Sequence, residues 1–120
     1  MKINKVTEVP ETVVEMEGAK DVSMQILIGL NEGSDNIIMR KFKVLPGGNT
    51  PHHSHDFEHI IKVENGKGIV VDENGNEHDL EPGLSAFVPA NTSHQFKNPN
   101  NEPFEFLCII PNPEKNKCCS

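Results

Sequence analysis

The chain is predicted to be all-β, an antiparallel sandwich or small barrel, and three observations carry that expectation. Its apolar runs are short, and several alternate apolar with polar residues at a period of two. Turn residues, drawn from nine Gly and nine Pro, punctuate the chain at roughly the 8–12-residue spacing of such folds. One stretch only, Thr12 to Met16, is long enough to tempt a helix, and Gly18 cuts it short.

In chain order, Val22 to Leu30 reads as a buried strand and Asn36 to Leu45 as a second, ended by the Pro46-Gly47-Gly48 turn. Glu58 to Glu64 alternates cleanly. His59, Ile61 and Val63 take one face; Glu58, Ile60, Lys62 and Glu64 take the other. Asn65-Gly66 turns into Lys67 to Asp72, and Glu73-Asn74-Gly75-Asn76 is a hairpin loop. Glu81-Pro82-Gly83 turns into Leu84 to Val88, and the strands His94 to Asn98 and Phe104 to Ile110 complete the set. The tail from Pro111 to Ser120 is polar and broken by proline, and is expected to fray.

At 120 residues the chain is read as one domain, 1–120. An N-terminal strand segment covers about 1–35, the barrel about 36–111, and the polar tail 112–120. The net charge is −7, with 11 basic residues scattered and a single Arg, Arg40, so a basic stripe for nucleic acid is absent. No apolar run has membrane-spanning length, and Met1 to Pro10 lacks the apolar core of a signal peptide. A cytoplasmic location is the expectation. The cysteines, Cys108, Cys118 and Cys119, are odd in number and lack framework spacing, so Cys118 and Cys119 are read as reduced tail thiols.

The chemistry lies in four of the six histidines: His53, His55, His59 and His94. In a strand His53 and His55 share a face, a turn could return His59 to the same spot, and His94 arrives from a distant strand. Imidazole binds metal readily near neutral pH. Three inward-facing histidines between positions 53 and 59 would be hard to bury without a shared partner. Glu58 competes with His59 for the third ligand position. Parity favours His59, which travels with Ile61 and Val63, whereas Glu58 travels with Lys62 and Glu64 toward water. His52 points away from His53, to the rim or solvent, and His78 sits among charged residues as a surface histidine.

The pattern around these residues resembles the cupin superfamily. Gly47, His53 and His55 fill the opening of its first motif, His59 stands in the slot usually held by Glu, and Gly66 closes it. Gly83, Pro89, His94 and Asn98 fill the second motif, with Asn91 in place of the middle Gly, a mild change because Asn tolerates the left-handed region. The chain looks similar to the small tetra-histidine single-domain cupins, a likeness extending to Leu-Ile-Gly-Leu near residue 30 and Met-Arg-Lys-Phe near residue 40. The resemblance implies a double-stranded β-helix (jelly-roll) barrel binding one divalent ion through His53, His55, His59 and His94. It puts manganese first and iron second, with nickel, copper or zinc behind them.

Four neutral ligands on a six-coordinate ion leave two positions open and the full +2 charge in place. The leading expectation is therefore a metal-dependent oxidoreductase of dioxygenase type acting on a small molecule. A non-redox lyase or isomerase is the alternative, and a non-catalytic small-molecule-binding cupin is the third reading. Arg40 shares parity with Ile38, Phe42 and Val44; it anchors a substrate carboxylate if that face lines the barrel, or forms an edge or interface salt bridge otherwise. Phe104, Phe106, Cys108 and Ile110 share a face, which makes Cys108 a second catalytic candidate or plain core. Too few basic groups are present for a phosphosugar. A homodimer is expected from the resemblance, paired through the apolar Gln25-Ile26-Leu27-Ile28 strand, with neither nucleic acid nor membrane as partner.

Overall fold

A computed structural model describes residues 1–116, so Cys118 and Cys119 and the thiol reading attached to them lie outside the described residues. Among the described residues nine strands form: β1 (Thr12–Val13), β2 (Lys20–Ile28), β3 (Ile37–Asn49), β4 (His59–Asn65), β5 (Gly68–Val71), β6 (Glu77–Leu80), β7 (Ser85–Val88), β8 (Gln95–Lys97) and β9 (Phe104–Pro111). Every pairing is antiparallel, in the order β6-β5-β8-β3-β9-β4-β7, with β2 on β3 and β1 on β2. This is an all-β antiparallel barrel, as the punctuation and alternation of the sequence predict.

Period-two alternation builds the interior. Strand β9 reads buried, half-buried, buried along its whole length, with Phe104, Phe106, Cys108 and Ile110 inward. Ile61 and Val63 of β4, Val44 of β3 and Val22 of β2 meet them in one core cluster. Phe106 packs at 4.5 Å from Phe96, 5.2 Å from Phe104 and 5.4 Å from Phe42, spacings favourable for aromatic pairs. Gly68 admits this stack: a Cβ there would sit 2.3 Å from the Phe104 ring.

Thr12 to Met16 holds no helix, in keeping with the break read at Gly18; Thr12–Val13 is a strand in register with Met24 and Ser23. Its β-branched residues favour the extended state, and the free edge of β2 supplies the ladder. One expectation needs correction: Pro46-Gly47-Gly48 does not end the second strand, since β3 runs on to Asn49 through a bend. Gly47 takes φ 81° there, and its amide donates to the Asn98 carbonyl at 2.8 Å. The Asn98 amide donates back to Gly48 at 3.0 Å, so the bend is held from across the barrel. One half of β3 thereby pairs with β9 and the other with β8, which closes the barrel corner.

Candidate metal centre

The segment between β3 and β4 carries His53 and His55, β4 opens on His59, and the segment is fixed by the chain that carries His94. His53 and His94 form an antiparallel bridge, His94 N–H donating to His53 O at 3.0 Å and His53 N–H to His94 O at 3.2 Å. The Asn91 amide donates to the His55 carbonyl, with Asn91 at φ 61° in the left-handed region. The Thr50 amide donates to Phe96 O at 2.9 Å, and the Phe96 amide to Thr50 Oγ1 at 2.8 Å. His53 and His55 thus lie in an irregular segment pinned by a bridge, where the sequence suggests a regular strand.

The four rings gather at one end of the barrel. Their centroids are 4.3 Å apart for His53–His55, 5.2 Å for His55–His59, 5.2 Å for His59–His94, 5.6 Å for His53–His94 and 6.3 Å for His55–His94. Metal–nitrogen bonds of ~2.1 Å place the centroids of co-ligands roughly 4.5–6.5 Å apart. Among the described residues, no three His, Cys, Asp or Glu side chains already have donor atoms set for coordination. The rings are therefore gathered but not closed on a point. The gathering is the more informative of the two facts, because centroid positions follow the backbone whereas donor directions change with a ring torsion.

His59 and His94 are buried, His53 and His55 half-buried, and Glu58 and His52 exposed. His52 meets Ser93 at the rim, and His78 meets Asp72 at 2.8 Å on the surface. The buried rings also differ in what they touch. His94 Nδ1 lies 2.9 Å from the Thr92 carbonyl, so Nδ1 carries the proton and Nε2 keeps its lone pair. His59 Nδ1 is buried with no hydrogen-bond partner. Burial, helped by the neighbouring rings and Arg40, pushes His59 down to about 3 and His53 down to about 4. His55 is lowered as well, with burial again the largest cause. Neutral imidazoles with unused lone pairs are the form in which histidine binds a metal. An orphaned ring nitrogen, a fixed tautomer and an all-nitrogen donor set fit a divalent ion of borderline softness.

The rings open on a cavity of about 310 Å³, at the small end of the range for ligand sites. Phe42, Phe96 and Phe106 line it, and so do Thr12, Val14 and Met16 of the N-terminal segment. That contribution was not legible in the sequence, because nothing local says that the N-terminal segment reaches the cavity of the histidines. Arg40 and Cys108 both line the cavity, opposite each other in register on β3 and β9. Arg40 Nη2 donates to Cys108 Sγ at 3.2 Å, and its guanidinium carbon lies 4.9 Å from the centre of the Phe42 ring. The edge or interface salt bridge considered for Arg40 is thereby set aside: its side chain points into the barrel. Burial raises the pKa of the Cys108 thiol, which stays protonated.

The profile of the cupin domain family matches residues 40–110 of the chain. Among solved structures, the polyketide cyclase RemF from Streptomyces resistomycificus aligns with a TM-score of 0.89 at 32% identity, covering 93% of this chain and 80% of that one. A cupin-2 domain from Rhodospirillum rubrum aligns at 24% identity with a TM-score of 0.78, covering 92% of this chain and 74% of that one, and bears on the fold alone. Of the curated proteins, the HTH-type transcriptional activator RhaS of Mannheimia succiniciproducens is 38% identical over 48 residues, 40% of this chain and 18% of its own length. The chain spans only about a fifth of the length of the curated activators it matches.

Proposed function

We infer the function from one fixed point: the chain belongs to the cupin domain family. The proposal is a metal-dependent enzyme that acts on a small, apolar, oxygen-bearing molecule at the four-histidine end of its barrel. His53, His55, His59 and His94 hold the ion. The observation that carries the reading is a cluster of four imidazoles, three of them held neutral, opening on an aromatic-walled cavity.

A divalent ion held by neutral ligands alone supplies strong Lewis acidity to a bound carbonyl. The rest falls to the chain. Thr92 holds His94 in one tautomer. Phe42, Phe96 and Phe106 exclude water and press a flexible substrate into a folded shape. The cavity lining contains no Asp, Glu, Lys or Tyr, so with the four imidazoles committed to the ion the Cys108 thiol is the group of the lining left to move a proton.

These features favour non-redox chemistry on an enolisable carbonyl compound: a lyase, isomerase or ring-closing reaction. The likeness to RemF, whose description is polyketide cyclase, supports the ring-closing form. The dioxygenase expected from sequence stands second, supported by the two positions that four ligands leave open.

The two separate on metal and oxygen. Protein reconstituted with zinc, manganese or iron is given a panel of short β-polyketones, in air and without it, and products are read by mass spectrometry. Loss of water at equal rates with zinc and without oxygen supports the first reading. Turnover only with manganese or iron in air, with oxygen incorporated, replaces it with the second.

Pairing of two copies belongs to the same proposal. Met39, Ile109, Ile60 and Phe87 are aligned across β3, β9, β4 and β7 on the outer face, and Ile60 and Phe87 are more than half exposed. Sedimentation is expected to show a dimer that Ile60→Glu with Phe87→Glu converts to a monomer.

A further inference from the structure

Arg40 is the one charged residue in the cavity lining, and the protein leaves it badly served. A guanidinium carries five donors, all seeking acceptors when buried. The acceptors within reach are a thiol sulfur and the face of a phenyl ring, both weak. Arg40 Nε is buried with no partner at all. Among the described residues, no Asp or Glu forms an ion pair with Arg40, whereas Lys41, Lys43, Lys62, Lys67 and Lys97 each have one. A half-buried cation whose Nε is sealed off without a partner is unfavourable unless something else delivers the anion.

The register shows where that anion would lie. Arg40 pairs with Cys108 and Cys108 with Ile61, one inward-facing position beyond His59 on β4. Arg40 therefore approaches the cavity two strands, or about 10 Å, away from the strand of His59. The same cavity is lined by Phe106, Phe42 and Phe96. It thus presents the histidine cluster and the guanidinium on a largely apolar lining.

We propose that Arg40 is the recognition point for a carboxylate on an apolar, planar ligand whose other oxygen end faces the histidines. The substrate class is then a hydrophobic aromatic or polyketide-like acid. A guanidinium can present two parallel donors that a carboxylate accepts in fork geometry. This rests on the reading of the cavity as the substrate site, but not on the presence of a metal.

The test measures binding of 2-naphthoate and of its uncharged analogue 2-naphthalenemethanol, at pH 8, to metal-loaded and chelator-stripped protein. Arg40 is the only lining cation left after stripping, so a preference for the carboxylate on the order of tenfold is expected to survive it. Arg40→Met is expected to abolish the preference, leave the alcohol within about twofold, and leave metal content unchanged, whereas Arg40→Lys retains part of it. No preference in stripped wild-type protein, or a preference that Arg40→Met retains, overturns the proposal. If Arg40→Met fails to fold, the stripped wild-type comparison decides alone. Failure of the metal reading would look different: wild-type protein takes up no metal while the carboxylate preference persists.

Discussion

Asn98 and His59 are both buried, polar and inside the barrel, and the structure treats them in opposite ways. Asn98, 1% exposed, uses its whole amide: Nδ2 donates to Val44 O at 2.8 Å and Glu102 O at 2.7 Å, and Oδ1 accepts from the Asn100 amide at 2.9 Å. His59, 5% exposed, leaves Nδ1 with nothing. The Asn98 amide is saturated, whereas His59 and Arg40 carry the two unpartnered buried side-chain atoms of the described residues. A saturated polar group holds the fold together. An unsaturated one burdens the fold.

The largest effect that would break this comparison comes from Asn98. Asn98→Leu strands two carbonyls and one amide, each costing about 1–3 kcal/mol when buried and unpaired. A loss of roughly 3–5 kcal/mol is expected in urea unfolding, with metal content per folded molecule unchanged. A loss below about 1 kcal/mol would mean that the fold does not depend on the saturation of Asn98.

His59→Ala should behave as the mirror image. Metal content is expected to fall at least about tenfold, by analogy with the cost of disturbing a ligand set. Stability in chelator should change much less than for Asn98→Leu, since the lost packing is partly offset by removal of an orphaned nitrogen. Glu58→Ala, on the exposed face, should change neither quantity. If Glu58→Ala empties the site and His59→Ala does not, the carboxylate is the ligand.

The smallest effect is in pH. His59 and His53 sit at about 3 and about 4 in the folded protein, against an ordinary value of 6.5. Below pH 6.5 the unfolded chain takes up protons that the folded cluster refuses. Metal-free protein should therefore hold its Tm above pH 7 and lose it progressively from pH 6.5 toward 4. Between pH 6.5 and 5 most carboxylates remain ionised, so the histidines dominate the slope. His59→Leu should make the curve shallower in that window, and an unchanged slope would show that the cluster is solvated.

Much of this contrast was legible because it is local. Alternation along Glu58 to Glu64 turns His59 in and Glu58 out, and the spacing of Gly, His, Pro and Asn from Gly47 to Asn98 carries the cupin pattern. Phe104, Phe106 and Cys108 share a face for the same reason. The bend at Pro46-Gly47-Gly48 was misread as an end because the strand continues only through hydrogen bonds to Asn98, some fifty residues away in the chain.

By itself, then, the sequence determined which residues face inward, which family the chain resembles and which four imidazoles that pattern nominates. Those follow from a period of two and from short-range spacing, which a strand expresses wherever it lies. Tertiary structure alone decided what those residues meet. The N-terminal segment lining the cavity and Arg40 facing a thiol and a phenyl ring both depend on register between strands. Register is set by the packing of the whole barrel, and no window along the chain contains it.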